Sequence, residues 1–186
     1  TTGLATPSID AHLINVLGLN RHVRRTPVWG LGCAGGVAGL ALAAHDLLGH
    51  PRQRALVFAA EMCSLTFLHD DYSKSNLVAT ALFSDGAAVA LLSGDETGDD
   101  GYAILETRST LFPDSLDVMG WTVLARGLQV VFDQRIPDII TCHAAEELDA
   151  LLETQGLGRP NVLEFLYHPG GPKVLQAYAD AYGTGV

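Results

Sequence analysis

Positive charge is scarce in this chain. Eleven Lys and Arg residues face 21 Asp and Glu among 186, a formal net charge of -10. Proteins that track a nucleic-acid backbone or lie on an anionic membrane concentrate cations, so neither is an expected partner. Cysteine is sparse as well: Cys33, Cys63 and Cys142 make three, with no close pairing pattern. An odd, scattered set does not build a disulfide framework, and it fits a cytoplasmic protein. No secretory leader pattern opens the sequence, and the longest apolar stretch, Val37 to Ala44, is too short to span a bilayer. Clustered metal ligands are missing too, since Cys142-His143 has no second ligand pair nearby. Asp95, Thr97, Asp99 and Glu106 fall at calcium-loop offsets. Asp100, however, stands where that loop needs glycine, so a solvated turn is the expectation.

What the chain does have is apolar residues, 48% of the total, and 20 glycines. The periodicities alternate between strand and helix. A helix starts at Thr6-Pro7, with Ile9, Leu13, Ile14 and Leu17 at helical spacing and Gly18 after it. Thr26 to Trp29 and Arg54 to Ala60 read as strands, Val37 to Leu48 as a buried helix, and Ser75 to Phe83 as a helix. Gly86 to Leu92 reads as a strand buried on both faces. The polar, Gly- and Asp-rich Gly94 to Gly101 is a break between subdomains. Tyr102 to Leu111, Leu128 to Phe132 and Val162 to Tyr167 follow as strands. Ile136 to Gln155 and Val174 to Tyr182 follow as helices. This alternation predicts an α/β layered domain.

Two turns carry chemistry. In Gly30-Leu31-Gly32-Cys33-Ala34-Gly35-Gly36, a thiol sits where an extended run meets a helix. Unpaired N–H groups and the helix dipole favour thiolate there, and the glycines let a carbonyl approach the backbone. The turn alone fits a small packed cysteine equally well. His168-Pro169-Gly170-Gly171-Pro172 is a second strand-to-helix turn rich in glycine. A lone histidine is more often structural, but Cys with His is a recognised way to activate a thiol nucleophile.

These turns belong to a wider pattern: Thr1-Thr2-Gly3 through Pro7, the Cys33 elbow, Glu61-Met62-Cys63-Ser64-Leu65-Thr66-Phe67, Ala81-Leu82-Phe83-Ser84-Asp85-Gly86-Ala87-Ala88, and the His168 turn. In order and spacing the pattern resembles the chalcone and stilbene synthase family, the type III polyketide synthases, of bacterial type. The resemblance implies a thiolase-like αβαβα layered fold, incomplete at both ends. Residues 1–96 would be the later part of the N-terminal half, with the nucleophile elbow. Residues 97–186 would be the earlier part of the C-terminal half, with the catalytic histidine.

The resemblance further implies that Cys33 carries the acyl group and His168 is its partner, with Gly170 and Gly171 lining the substrate path. Phe83 would gate the cavity. Cys63, Leu65 and Thr66 would line it, and Thr6 would reach into the partner's cavity across a homodimer. Core packing is the competing reading for Phe83, Leu65 and Cys63. Substrates would be acyl-CoA and malonyl-CoA, with no resident cofactor and no metal. The small cavity candidates resemble bacterial relatives using fatty-acyl or malonyl starters, so an alkylpyrone or alkylresorcinol product is expected. Arg21, Arg24 and Arg25 are the basic cluster available to CoA phosphates, if they are not simply a solvated loop end.

The family's catalytic asparagine follows the histidine by a few tens of residues, and Asn161 lies on the wrong side of His168. The chain therefore reads as an internal segment, inactive by itself. Two alternatives stand beside this reading. One is a chain-initiating ketoacyl-carrier-protein synthase, which usually has His-Gln-Ala-Asn where this chain has His168-Pro169-Gly170-Gly171. The other is an inert truncated chain that acts only as a dimerising module.

Overall fold

β-branched and aliphatic residues make Arg54–Glu61 (β1) and Gly86–Ser93 (β2) strands, and the two pair antiparallel from Arg54↔Ser93 to Glu61↔Gly86. The structure, a computed structural model, describes residues 5–185. The Thr1-Thr2-Gly3 motif lies outside the described residues. In helix α1 (Ile9–Leu17) the N-cap position is Ser8 rather than Thr6, and the Ser8 carbonyl accepts the Ala11 N–H. The Ser8 hydroxyl is engaged by the Asp10 carboxylate, so it does not cap. Gly18, at φ +64°, closes the helix in the left-handed conformation.

Helix α2 (Gly35–Leu48) packs on β1 through small residues. The Cβ position of Gly36 lies 3.9 Å from Ala59 Cβ, and that of Gly39 lies 3.2 Å from Val57 Cγ1. As α2 advances, its contacts on β1 run backwards. The start of α2 therefore adjoins the end of β1. The expected burial of α2 and β2 is not met. Only Leu47 of α2 is buried, and β2 is mostly exposed. Helix α2 packs on this two-stranded ribbon, and Leu56, Val89 and Leu91 of the ribbon are exposed. Thr26 to Trp29 forms no strand, because no strand pairs with it among the described residues.

After β2 the chain turns back on itself. Gly94 donates to the Gln53 carbonyl and Glu96 to that of Pro51, both at 2.9 Å. A Cβ on Gly94 would stand 2.4 Å from Pro51 O and 2.6 Å from Pro51 C. Those are main-chain atoms that cannot swing aside. Gly94→Ala is expected to destabilise this unit by about 3 kcal/mol, at the upper end of overpacking costs. A urea midpoint within error of wild type would contradict that.

The chain divides into two units. One takes Thr1–Phe67 and Ser84–Asp99, and the other takes Leu68–Phe83 and Asp100–Val186. In the second, α3 (Lys74–Leu82) packs on the hairpin of β3 (Met119–Leu124) and β4 (Gly127–Phe132). Ser73 caps α3 by accepting the Asn76 N–H at 3.2 Å. Strand β3 escapes sequence reading because its Gly120 and Thr122 blur the apolar run. Helices α4 (Ile136–Glu153) and α5 (Pro172–Tyr182) pack together, and Arg159 joins them. Its guanidinium holds Asp149 at 2.6 and 2.7 Å and reaches the carbonyls of Ala145 and Ala181.

Tyr102 to Leu111 and Val162 to Tyr167 form no strands. Phe165 and Tyr167 face Tyr178 and Tyr182 of α5, while Leu163 and Leu166 are exposed. What is absent, among the described residues, is a neighbour to complete a ladder.

The core of the second unit includes Leu68, Ala79, Val118, Val130, Val174, Ala177 and Ala179, with one buried amide, Asn76. Asn76 Nδ2 donates to the Leu68 carbonyl at 3.1 Å and the Asp71 carbonyl at 2.7 Å. Asn76→Ala removes both bonds, leaves the Leu68 carbonyl only the Asp71 N–H at 3.3 Å, and is expected to cost about 2 kcal/mol, read as a lowered urea midpoint. An unchanged midpoint would show that water replaces the amide.

Candidate functional site

Cys33 lies in a 3-10 turn, Gly32–Ala34, which runs directly into α2. Gly30 at φ +86° and Gly32 at φ +50° flank it on the N-terminal side. Residues with a side chain rarely adopt such angles, so the glycines set the path that delivers the thiol to the helix start. Ala34 N–H donates to Leu31 O at 3.0 Å and closes the turn. Cys33 is exposed.

The thiol's electrostatics depart from the sequence expectation. Cys33 is raised above its ordinary value, first by the protein packed around the sulfur and next by the Glu61 carboxylate, with Cys63 adding to the shift. Surface exposure and desolvation coexist here: the side chain reaches solvent on one side and is crowded on the other. Partial burial and a nearby negative charge both disfavour the thiolate. In this environment the thiol needs a cationic or basic partner to become a nucleophile.

Cys63, Leu65 and Thr66 share a second 3-10 turn, Cys63–Thr66, just past the end of β1. Thr66 Oγ1 donates to the Cys63 carbonyl at 2.8 Å, and Leu65 N–H to that of Met62 at 3.1 Å. Leu65 is 73% exposed, so it is not core in this structure. Cys63 is half-buried. Because α2 begins where β1 ends, this turn and Cys33 occupy the same end of their unit. Asp85, which the sequence reading did not single out, accepts from both the Ser64 N–H and the Ser64 hydroxyl. Thr6 belongs to the same unit and is exposed.

The other candidates lie in the second unit. His168 is exposed and ends the extended run packed on α5. Its carbonyl accepts the Gly170 N–H at 2.8 Å. Gly171 at φ +112° caps α5, and Pro172 takes the first helical position. A Cβ at Gly170 would meet Val174 Cγ1 at 3.2 Å, and one at Gly171 would meet Leu82 Cδ1 at 3.6 Å. Gly171 thus packs beside the end of α3. Phe83 follows that helix end. It is half-buried, with ring centroids 6.2 Å from Trp121 and 6.5 Å from Phe132.

A groove of about 270 Å³ between Phe112, Ile140, Leu148, Tyr178 and Tyr182 is lined by none of the expected site residues. Of the basic cluster, Arg24 pairs with Asp46 at 2.6 Å and Arg25 with Asp10 at 2.5 Å, which favours the loop-end reading. Among the described residues no group of His, Cys, Asp or Glu could hold a metal ion, and no helix is long and apolar enough to cross a membrane.

The sequence model for chalcone and stilbene synthases, N-terminal domain, matches residues 1–96. The chain belongs to the chalcone and stilbene synthase family. It is 45% identical over 183 residues to a 1,3,6,8-tetrahydroxynaphthalene synthase of Streptomyces peucetius subsp. caesius, which covers 97% of this chain and 48% of that protein. It is 41% identical to a putative chalcone synthase of Bacillus subtilis (strain 168), over 98% of this chain and 52% of that one. Among solved structures, the tetrahydroxynaphthalene synthase of Streptomyces coelicolor A3(2), a bacterial type III polyketide synthase, superposes with a TM-score of 0.92 at 30% identity, covering 98% of this chain and 52% of that chain. PKS-I of the brown alga Ectocarpus siliculosus also gives 0.92, at 27% identity, covering 100% and 49%. The fold is therefore the thiolase-like fold of type III polyketide synthases. The chain spans about half the length of the relatives it matches.

Proposed function

We propose that this chain carries the acyl-loading nucleophile of a type III polyketide synthase. The observation that carries the reading is the Cys33 turn: an exposed thiol between glycines with left-handed angles and the start of α2, in a chain of this family. Cys33 attacks the carbonyl of an acyl-CoA, the C–S bond to CoA breaks, and free CoA leaves with the proton. Malonyl-CoA then loses CO₂ to give an enolate. The enolate attacks the Cys33 thioester, forms a C–C bond and returns the thiol. His168 takes the Cys33 proton and later donates to the developing oxyanion, a role for which each donor contributes about 3 kcal/mol.

In this reading Phe83, Cys63, Leu65, Thr66, Gly170 and Gly171 line the substrate path, and Thr6 serves the partner protomer of a cytoplasmic homodimer. The substrates are CoA thioesters, and the reading calls for no resident cofactor. Residues 1–96 and 97–186 contribute to the two halves of the thiolase-like fold. That the segment by itself does not complete the cycle is part of the proposal. It rests on the asparagine the resemblance implies, for which the sequence after His168 offers no candidate.

Relatives named tetrahydroxynaphthalene synthases favour an aromatic product over the alkylpyrone. Malonyl units can supply all the carbon of a naphthalene skeleton. Mass spectrometry of products from malonyl-CoA alone, and with long-chain acyl-CoA added, tests this in the longest protein that contains the segment. A polyhydroxynaphthalene from malonyl-CoA alone is expected. Products only when a long-chain acyl-CoA is present would restore the alkylpyrone or alkylresorcinol.

A further inference from the structure

The Cys63–Thr66 turn closes on itself through Thr66 and Leu65, but something must also hold it against the sheet. Asp85 does so with both carboxylate oxygens. Oδ1 accepts the Ser64 N–H at 2.8 Å, and Oδ2 accepts the Ser64 hydroxyl at 2.6 Å. The pairing of Glu61 with Gly86 brings the two ends together, because Asp85 precedes β2 just where the turn follows β1. The antiparallel run of α2 over β1 brings Cys33 to the same end. Cys63 opens the turn that follows β1 and so lies toward that same end.

We propose that Asp85 is a positioning residue that fixes the Cys63–Thr66 turn as one wall of the approach to Cys33, and so sets which acyl chains reach the thiol. The two donated bonds hold the Asp85 carboxyl below the usual carboxylate range, with the Ser64 hydroxyl contributing most. The clamp is therefore charged and intact at neutral pH. The proposal deepens the polyketide synthase reading and rests on it for the word acyl. The clamp itself stands on geometry alone.

The test compares Asp85→Ala, Asp85→Asn and Ser64→Ala in the full chain. In Asp85→Ala, Ser64 amide exchange and Cys63 alkylation by iodoacetamide are each expected to rise about tenfold, since two charge-assisted bonds are lost. Cys33 alkylation by the same small reagent is expected to stay within about twofold, because the reagent needs no wall. Loading of Cys33 from a long-chain acyl-CoA relative to acetyl-CoA is expected to shift by about tenfold, a selectivity change that simple loosening of a surface turn does not produce. Asn keeps an acceptor for the Ser64 N–H, so Asp85→Asn is expected to recover most of the exchange protection.

Unchanged exchange and Cys63 reactivity in Asp85→Ala would overturn the clamp, and an unchanged chain-length preference would overturn its role. If Asp85→Ala does not fold, Ser64→Ala decides. It removes only the hydroxyl bond, and about a threefold rise in Cys63 alkylation is expected, with no rise counting against the proposal. Should wild type accept no acyl group from any CoA thioester, the polyketide synthase reading fails and the assigned role with it, while exchange and alkylation still judge the clamp.

Discussion

Cys33→Ala abolishes covalent loading: after incubation with acyl-CoA, intact mass shows no adduct, where wild type gains one acyl group. The effect is expected to be total because alanine has no nucleophile, and the two remaining thiols are differently placed. Cys63 is half-buried in the clamped turn, and Cys142 sits on the exposed face of α4 far along the sequence from any expected site residue. The turn itself tolerates the change. Cys33 is exposed, and its backbone path is set by Gly30 and Gly32. An adduct at wild-type level in Cys33→Ala would move the nucleophile elsewhere and end this assignment.

The second large effect concerns His168. Burial and Glu61 raise the Cys33 thiol, so within its own unit it is a poor nucleophile at neutral pH. A partner that accepts the proton, or stands as a cation beside the thiolate, has to reverse that shift. His168→Ala is expected to slow acyl loading near pH 7 by about 10²–10³-fold, the range for a lost general base. It is also expected to alter the pH profile. Alkylation of Cys33 in the variant should keep rising above the ordinary thiol range, because a raised thiol forms thiolate only at higher pH. Wild type should level off earlier. Superimposable profiles would remove His168 from the mechanism.

The two glycine-rich turns were legible in the sequence for a physical reason. Glycines at Gly30, Gly32 and Gly171 adopt left-handed angles that other residues avoid, so their spacing records the backbone path itself. The helices were legible through their periodicity, with ends displaced by a residue or two. Strand behaviour was less legible, since a strand needs a neighbour that no local pattern names. Tyr102 to Leu111 has a strand's composition and no ladder, whereas Met119–Leu124 has a weak pattern and a full one.

Electrostatics were the least legible. The helix start predicted a lowered Cys33, but Glu61 is brought beside it only because β1 runs antiparallel under α2. The Ser64–Asp85 clamp joins residues on either side of the Leu68–Phe83 excursion into the second unit. Phe83 shows the limit of residue matching. The resemblance implies a gate there, whereas its ring packs with Trp121 and Phe132 as a core aromatic would.

The most direct test of the central claim is peptide mapping of the wild-type chain after brief exposure to a radiolabelled acyl-CoA at mildly alkaline pH. The account predicts one labelled peptide, the one containing Cys33, with the label released by hydroxylamine as a thioester requires. Label on Cys63 or Cys142, or none on Cys33 under conditions where iodoacetamide modifies it, would contradict the claim.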